Sequence, residues 1–337
     1  MTRNRAWTVV VTLAAVAALL LTAGGLAAPA RAAENKPDPT FTDPDKAGPD
    51  FKVQGEYVGT VAGDKDRKIG VQVIALGDGK FHACFLNGGL PGEGWDQKDK
   101  VEIDGATKEA KTVFEGKGWE AAIEDGKLQA RNDKAEKIAA EKVARKSPML
   151  EAKPPAGAVV LFDGSTADTW QGGHMDDRKL LAAGCKSKQG FTDFTMHVEF
   201  FLPFKPFARG QGRANSGVYL QDRYEIQVLD SFGLAGKNNE CGGIYTKSDP
   251  KVNMCLPPLT WQTYDVEFTA AKFDESGKKI KDAVATGKHN GVVVQDNVAI
   301  SGPTGGGAPE TAKPGPIQLQ GHGNPVFFQN IWVVEKK

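Results

Sequence analysis

The chain has 337 residues with 42 basic and 42 acidic side chains, so its formal net charge is zero. That balance excludes a nucleic-acid binder held by a basic field and an acidic solvating tail. Apolar residues at 40% and charged residues at 25% exclude a wholly disordered chain, and 40 glycines favour turns over long helices.

Arg3 and Arg5 precede an apolar run from Ala6 to Ala23. Ala28-Pro29-Ala30 and Ala30-Arg31-Ala32 then follow, both of the type that signal peptidases cut. A membrane anchor is the alternative, but the cleavage motifs and the proline-rich stretch beyond them favour a signal peptide over residues 1–32. The expectation is a periplasmic or secreted protein with no stable membrane span after cleavage. Removing Arg3, Arg5 and Arg31 leaves 39 basic against 42 acidic residues, net −3.

Residues 33–50 are polar and proline-rich and read as a flexible leader. From Phe51 the chain alternates, through Val71-Gln72-Val73-Ile74 and Phe81-His82-Ala83-Cys84-Phe85, as a small β-rich domain over 51–130. Gly77-Asp78-Gly79 and Asp104-Gly105 carry hairpin chemistry. Asp133 to Arg145, rich in Ala, Lys and Glu, reads as a short helix in a 131–157 linker ending at Lys153-Pro154-Pro155. The second domain, 158–337, has better-marked strands. Met196, Val198 and Phe200 alternate with His197 and Glu199; Tyr264, Val266 and Phe268 alternate with Asp265 and Glu267; Tyr224, Ile226 and Val228 alternate with Glu225, Gln227 and Leu229. Many short strands with no helices between them indicate an all-β, antiparallel sandwich.

Of four cysteines, Cys84, Cys185, Cys241 and Cys255, the pair Cys241 and Cys255 flanks one short loop and is the first choice for a disulfide in an oxidising compartment. Four buried thiols are the alternative. No C-x-x-C spacing supports zinc, and His174-Met175-Asp176-Asp177 is not a specific ligand set. No cofactor is expected, with a divalent metal left open.

The densest polar signal runs from Asn215 to Asp230, where a two-residue Asp222-Arg223 turn would pair two strands. Glu225 and Gln227 then project from one face, and a bulge after Gln227 would return Asp230 to it. That spacing imitates the acidic strand of a retaining glycosidase; a strand carboxylate paired with Arg223 or Arg209 is the plainer reading. In Gln318-Leu319-Gln320-Gly321-His322, glycines expose His322 beside two amides. Asn215 offers a sugar hydrogen bond and Trp170 a stacking ring, although core packing explains Trp170 equally well.

Val160-Leu161-Phe162-Asp163-Gly164 with Trp170, the 215–230 block, Gly243-Ile244-Tyr245, Trp261 to Asp265, His289 to Val292 and Leu319 to Trp332 resemble the 3-keto-disaccharide hydrolase family over residues 158–337. The resemblance implies a concanavalin A-like jelly-roll sandwich and cleavage of 3-keto-glycosides by C2 proton abstraction, elimination and hydration. It implies Glu225 or His322 as base and acid, Asn215, Gln227 and Gln320 holding the sugar, and Arg223 and Asp230 in support. The leading domain, with Gly55-Glu56-Tyr57-Val58-Gly59 and Gly88 to Gly92, looks like one found before this module in exported bacterial proteins. Two positions depart from the family's pattern, Gly321 for an acid and Gln329 for an arginine. The alternatives are a non-catalytic carbohydrate-binding sandwich and an ordinary retaining glycosidase. The expected partner is an oxidised sugar or glycan, not nucleic acid.

Overall fold

The computed structural model describes residues 38–98 and 100–336; the signal peptide expected over 1–32 lies outside them. Eight strands come first: β1 (Gly55–Val61), β2 (Asp64–Gly77), β3 (Lys80–Asn87), β4 (Lys100–Lys108), β5 (Lys111–Gly116), β6 (Trp119–Glu124), β7 (Lys127–Asn132) and β8 (Lys137–Val143). Each pairs antiparallel with the next, and β8 pairs back onto β1 to close a barrel. Closure removes the exposed edges that a small open sheet would present.

The segment expected as a helix therefore contains the closing strand. Ile138 and Ala140 point into the barrel core while Lys137, Ala139 and Glu141 face water, a period of two that its helix-forming composition conceals. Asp78 and Gly79 (φ 54° and 67°) make the expected hairpin turn. Asp104-Gly105 does not turn: both lie inside β4, where the missing side chain of Gly105 makes room for the Phe114 ring.

The described part of the expected flexible leader, from residue 38 on, is packed rather than loose. Helix α1 (Gly48–Val53) and the preceding residues lie against the barrel. Phe41 exchanges two 2.9 Å backbone hydrogen bonds with Phe204, and Phe51 packs on the Phe204 ring at 5.4 Å. Phe204 is fully buried, and burying such a ring stabilises by about 2–3 kcal/mol.

The sandwich follows: β9 (Val159–Phe162), β10 (Trp170–Gln171), β11 (Leu181–Ala182), β12 (Cys185–Phe191), β13 (Phe194–Phe201), β14 (Ser216–Leu220), β15 (Tyr224–Val228), β16 (Trp261–Thr269), β17 (Lys272–Phe273), β18 (Lys279–Lys281), β19 (Ala283–His289), β20 (Val292–Ile300), β21 (Gly315–Leu319) and β22 (Phe327–Glu335). One sheet has the order β10-β12-β21-β14-β15. The other has the order β11-β22-β13-β16-β19-β20, with β9 also on β22, and β17 and β18 form a hairpin. All pairings are antiparallel, and the fold is the expected all-β sandwich behind a small β domain. Val198, Phe200, Phe268, Val218, Ile226 and Leu319 fill the space between the sheets. The two domains share their cores: Ile74, Cys84 and Leu86 of the barrel join the sandwich cluster, and Phe201, Phe204 and Leu259 join the barrel's.

The linker is strapped to the outer face of the larger sheet. The Glu151 N–H donates to Glu199, the Ala152 carbonyl accepts from Asn330 Nδ2 and Trp332 Nε1 (both 3.1 Å), and Ser147 Oγ meets Thr263 Oγ1 at 2.7 Å. Under this strap His197 lies between Asp265 (2.7 Å) and Glu199 (3.3 Å), stacked on Trp332. Burial favours a neutral ring, but the two carboxylates outweigh it and hold the His197 pKa above its usual value. Gln329, the apparent loss of an arginine near the cleft, belongs here instead: its Nε2 donates to Glu199 at 2.7 Å.

No disulfide joins Cys241 and Cys255; both are buried free thiols. Cys241 Sγ lies 3.0 Å from the Tyr264 hydroxyl, and Cys255 Sγ donates to the Leu229 carbonyl at 3.5 Å. Among the described residues no helix is long and apolar enough to cross a membrane.

Candidate active site

Strand parity builds the site. In the five-stranded sheet Gly217 opposes Gln227, Tyr219 opposes Glu225, Gln318 lies beside Tyr219 and Lys186 beside Gln318. These residues share the face away from the core, because Val218, Ile226 and Leu319 between them point inward. The β14–β15 turn is not Asp222-Arg223. Gln221 and Asp222 occupy the left-handed region (φ 55° and 61°), and the Arg223 N–H donates to the Leu220 carbonyl at 3.1 Å.

Glu225 is 2% exposed, and burial pushes its pKa up to about 7, only partly offset by the Tyr219 hydrogen bond. The Tyr219 hydroxyl stands 2.8 Å from Glu225 Oε2 and 2.7 Å from the Gly305 carbonyl, and it accepts from Gln320 Nε2 at 3.1 Å. One hydroxyl hydrogen serves two acceptors, so its position follows the charge on Glu225. It points to the ionised carboxylate, and turns to Gly305 when Glu225 is protonated and itself donates. Burial, then the Glu225 charge, hold the Tyr219 pKa above its usual value. The loop after β20 forms this wall, with Thr304 Oγ1 accepting from the Glu225 N–H at 2.9 Å and Tyr245 lying against Gly305.

Beside the acid is a cluster of amides. Gln211 Oε1 accepts from Asn215 Nδ2 (3.1 Å) and Gln227 Nε2 (3.0 Å), and Gln227 Oε1 accepts from the Val228 N–H. Two amide oxygens of the cluster, Asn215 Oδ1 and Gln320 Oε1, are buried without a partner among the described residues. Leaving each so costs about 1–3 kcal/mol, a penalty that a ligand hydroxyl would relieve.

The sheet thus brings together Asn215, Glu225, Gln227 and Gln320, while Trp170, Arg223 and Asp230 are engaged elsewhere. Trp170 points into the core, 3% exposed, with its indole N–H donating to the Leu161 carbonyl at 2.9 Å, so it offers no face to a sugar. Arg223 turns away to Gln221 Oε1, Thr311 Oγ1 and the Lys313 carbonyl, where it braces the loop. Asp230 does not rejoin the Glu225 face. Its carboxylate is buried against Arg213 Nε at 2.7 Å and lines a different cavity. Asp176 of the loose ligand set holds Arg178 and caps its own turn. His322 lies on the exposed loop after β21, its ring without a hydrogen-bond partner among the described residues. Gly321 before it faces Gly184, where a Cβ would come within 3.0 Å of the Gly184 Cα. The residues missed from sequence are Tyr219, Gln211, Thr304 and Tyr245. Only Tyr219 had a signal, the cross-strand position opposite Glu225.

The family model of the 3-keto-alpha-glucoside-1,2-lyase-like domain matches residues 157–334. The chain belongs to this family. Membership makes it a hydrolase-like, carbohydrate-active enzyme. A proposed glycosyl hydrolase from Parabacteroides distasonis is similar at 35% identity, over 54% of this chain and 85% of that one, with a TM-score of 0.50. Two others from the same organism, also described as proposed glycosyl hydrolases, match at 17% and 20% identity. They cover 57% and 53% of this chain and 100% and 99% of their own, with TM-scores of 0.40 and 0.37. No curated protein matches the chain.

Proposed function

We propose that the protein is an exported enzyme that cleaves 3-keto-glycosides, with Glu225 as the base. A ketone at C3 acidifies the C2 proton. Transfer of that proton to Glu225 leaves an enolate, whose electron pair forms the C1–C2 double bond as the C1–O bond breaks. The departing oxygen takes a proton and leaves as the alcohol. Water then adds at C1 while protonated Glu225 returns its proton to C2, so the net reaction is hydrolysis. Such a base works best with a pKa near the working pH, and burial gives Glu225 that value. His322, on the exposed loop two residues after Gln320, is the group proposed to protonate the leaving oxygen.

The observation that carries this reading is that Glu225 is a buried carboxyl with no ion-pair partner among the described residues. Asp230, the second acid that a retaining glycosidase would need, is committed to Arg213. Asn215 Oδ1 and Gln320 Oε1 are the acceptors proposed for sugar hydroxyls. Export rests on the leading sequence, with its two arginines, apolar run and cleavage motifs.

The test is a paired assay on a 3-keto-glucoside and its unoxidised parent, run in D2O. Turnover of the ketone alone, with deuterium entering at C2, is expected. Cleavage of the unoxidised glycoside at a similar rate, or sugar binding with no turnover, would overturn the proposal.

A further inference from the structure

The barrel carries a second constellation that the sugar chemistry does not use. On β3, residues 81, 83 and 85 face the barrel core, so His82 and Cys84 share the outer face two positions apart. Glu102 of β4 lies directly across from Cys84 in register. His82 Nε2 is 3.9 Å from Glu102 Oε1, and Cys84 Sγ is 3.8 Å from the same oxygen. The three ligand atoms all lie within 4.8 Å of one another. Around tetrahedral zinc, with bonds of about 2.0–2.3 Å, donor atoms stand roughly 3.3–3.8 Å apart. The observed separations thus exceed a closed site by little more than a side-chain adjustment.

Two further features are those a metal centre requires. The other ring nitrogen of His82, Nδ1, is held at 2.7 Å by Asp104 from the facing strand, which fixes the ring with Nε2 turned toward Cys84 and Glu102. A carboxylate behind a ligating histidine sets its tautomer and raises its basicity. His82 and Glu102 also line a cavity of about 450 Å³ whose walls include the 232–235 segment, Arg213, Asp230 and Glu240. This space leaves a fourth position open. Lys100 Nζ now rests on Glu102 Oε1 at 2.5 Å and supplies there the positive charge that a cation would replace.

We propose that Cys84, His82 and Glu102 form a binding site for one divalent transition-metal ion of the zinc class. A thiolate, an imidazole and a carboxylate together select a borderline-soft ion over calcium or magnesium. On binding, the Cys84 proton leaves to solvent and the Lys100 ammonium swings off Glu102. Cys84 Sγ also faces the Gly233 carbonyl at 3.7 Å, so the ion would sit where the barrel meets the loop that carries Asn239, whose carbonyl accepts from Gln211 and Gln227 of the sugar site.

The test uses the full mature chain, stripped of metal and titrated with Co2+ and then Zn2+. One equivalent of Co2+ is expected, with sulfur-to-cobalt charge-transfer absorption that Zn2+ abolishes. Cys84→Ser should remove that absorption and His82→Ala should weaken binding at least about tenfold. Asp104→Asn should weaken it about 10–100-fold through the histidine. Should Cys84→Ser not fold, Lys100→Met is the second variant; it removes the competing cation on the surface and should tighten Co2+ binding. No charge-transfer band in the parent protein, a band that survives Cys84→Ser, or a Lys100→Met variant that binds no more tightly would overturn the proposal.

Discussion

The Glu225 side chain lies across the backbone of Gly217 on the neighbouring strand, so close that a Cβ at 217 would stand 2.9 Å from Glu225 Cγ and nearer still to Oε1. The glycine is what allows the carboxyl to lie flat against the sheet within reach of Tyr219. Gly217→Ala should push the acid out of its hydrogen bonds and reduce turnover of a 3-keto-glucoside by about tenfold or more, at some cost in stability because both residues are buried. Steady-state kinetics beside a thermal melt would check this; an unaltered kcat would mean that the position of Glu225 is unimportant.

Glu225→Gln keeps the shape and removes the base. Turnover should fall about 10²–10⁴-fold, the usual contribution of general acid–base catalysis. Stability should move the other way. An acid whose folded pKa, about 7, stands above its ordinary value of 4.5 releases its proton more readily when unfolded, so the native protein loses stability as pH rises through that window. The loss approaches about 3 kcal/mol by pH 8. Urea titrations at pH 4 and pH 8 should therefore show the glutamine variant gaining on the parent by that order; a pH-independent gap would contradict the buried, uncharged state of Glu225.

In the parent enzyme, turnover should fall as pH drops below about 7, where Glu225 holds its proton. The Tyr219 hydroxyl stabilises the ionised form, so Tyr219→Phe should move this limb to higher pH and lower the plateau. A pH–rate profile with the limb unshifted would show that Tyr219 does not act on the acid.

Trp170→Ala should cost about 3–5 kcal/mol, as for other buried aromatic truncations, and leave the KM for sugar unchanged in whatever folded protein remains. A raised KM with normal stability would restore the stacking role.

Much of the sandwich was legible because its strands alternate strictly. The Met196–Val198–Phe200 and Tyr264–Val266–Phe268 rows face the core as their spacing requires. The 137–143 strand was not, since Ala, Lys and Glu favour a helix locally and only closure of the barrel against β1 selects the extended form. In the site, parity placed Glu225 and Gln227 on one face correctly. It could not show that Asp230 is drawn off by Arg213, seventeen positions earlier, or that Gln211 gathers two amides from a short 3-10 turn. Such contacts depend on loops whose paths carry no periodic signal.

Glu199 is fully buried with four hydrogen-bond partners, the Glu151 N–H, His197, Asn330 and Gln329. Glu199→Ala leaves His197 with one carboxylate and should destabilise by about 3–5 kcal/mol, with the KM for sugar unchanged because the opposite sheet carries the site. Chemical denaturation and kinetics on the same sample would separate the two effects; a large KM change would tie this face to catalysis.

The strap over that face also decides what can be cut from this protein and moved elsewhere. The family match begins at residue 157, yet Ser147, Glu151 and Ala152 are already laced into β13, β16 and β22. A fragment started at the family boundary would expose Glu199 and leave Trp332 and Asn330 without their shared acceptor. The transplantable unit is longer than the recognisable one: it begins no later than Ser147, and the cores shared with the barrel carry it further back.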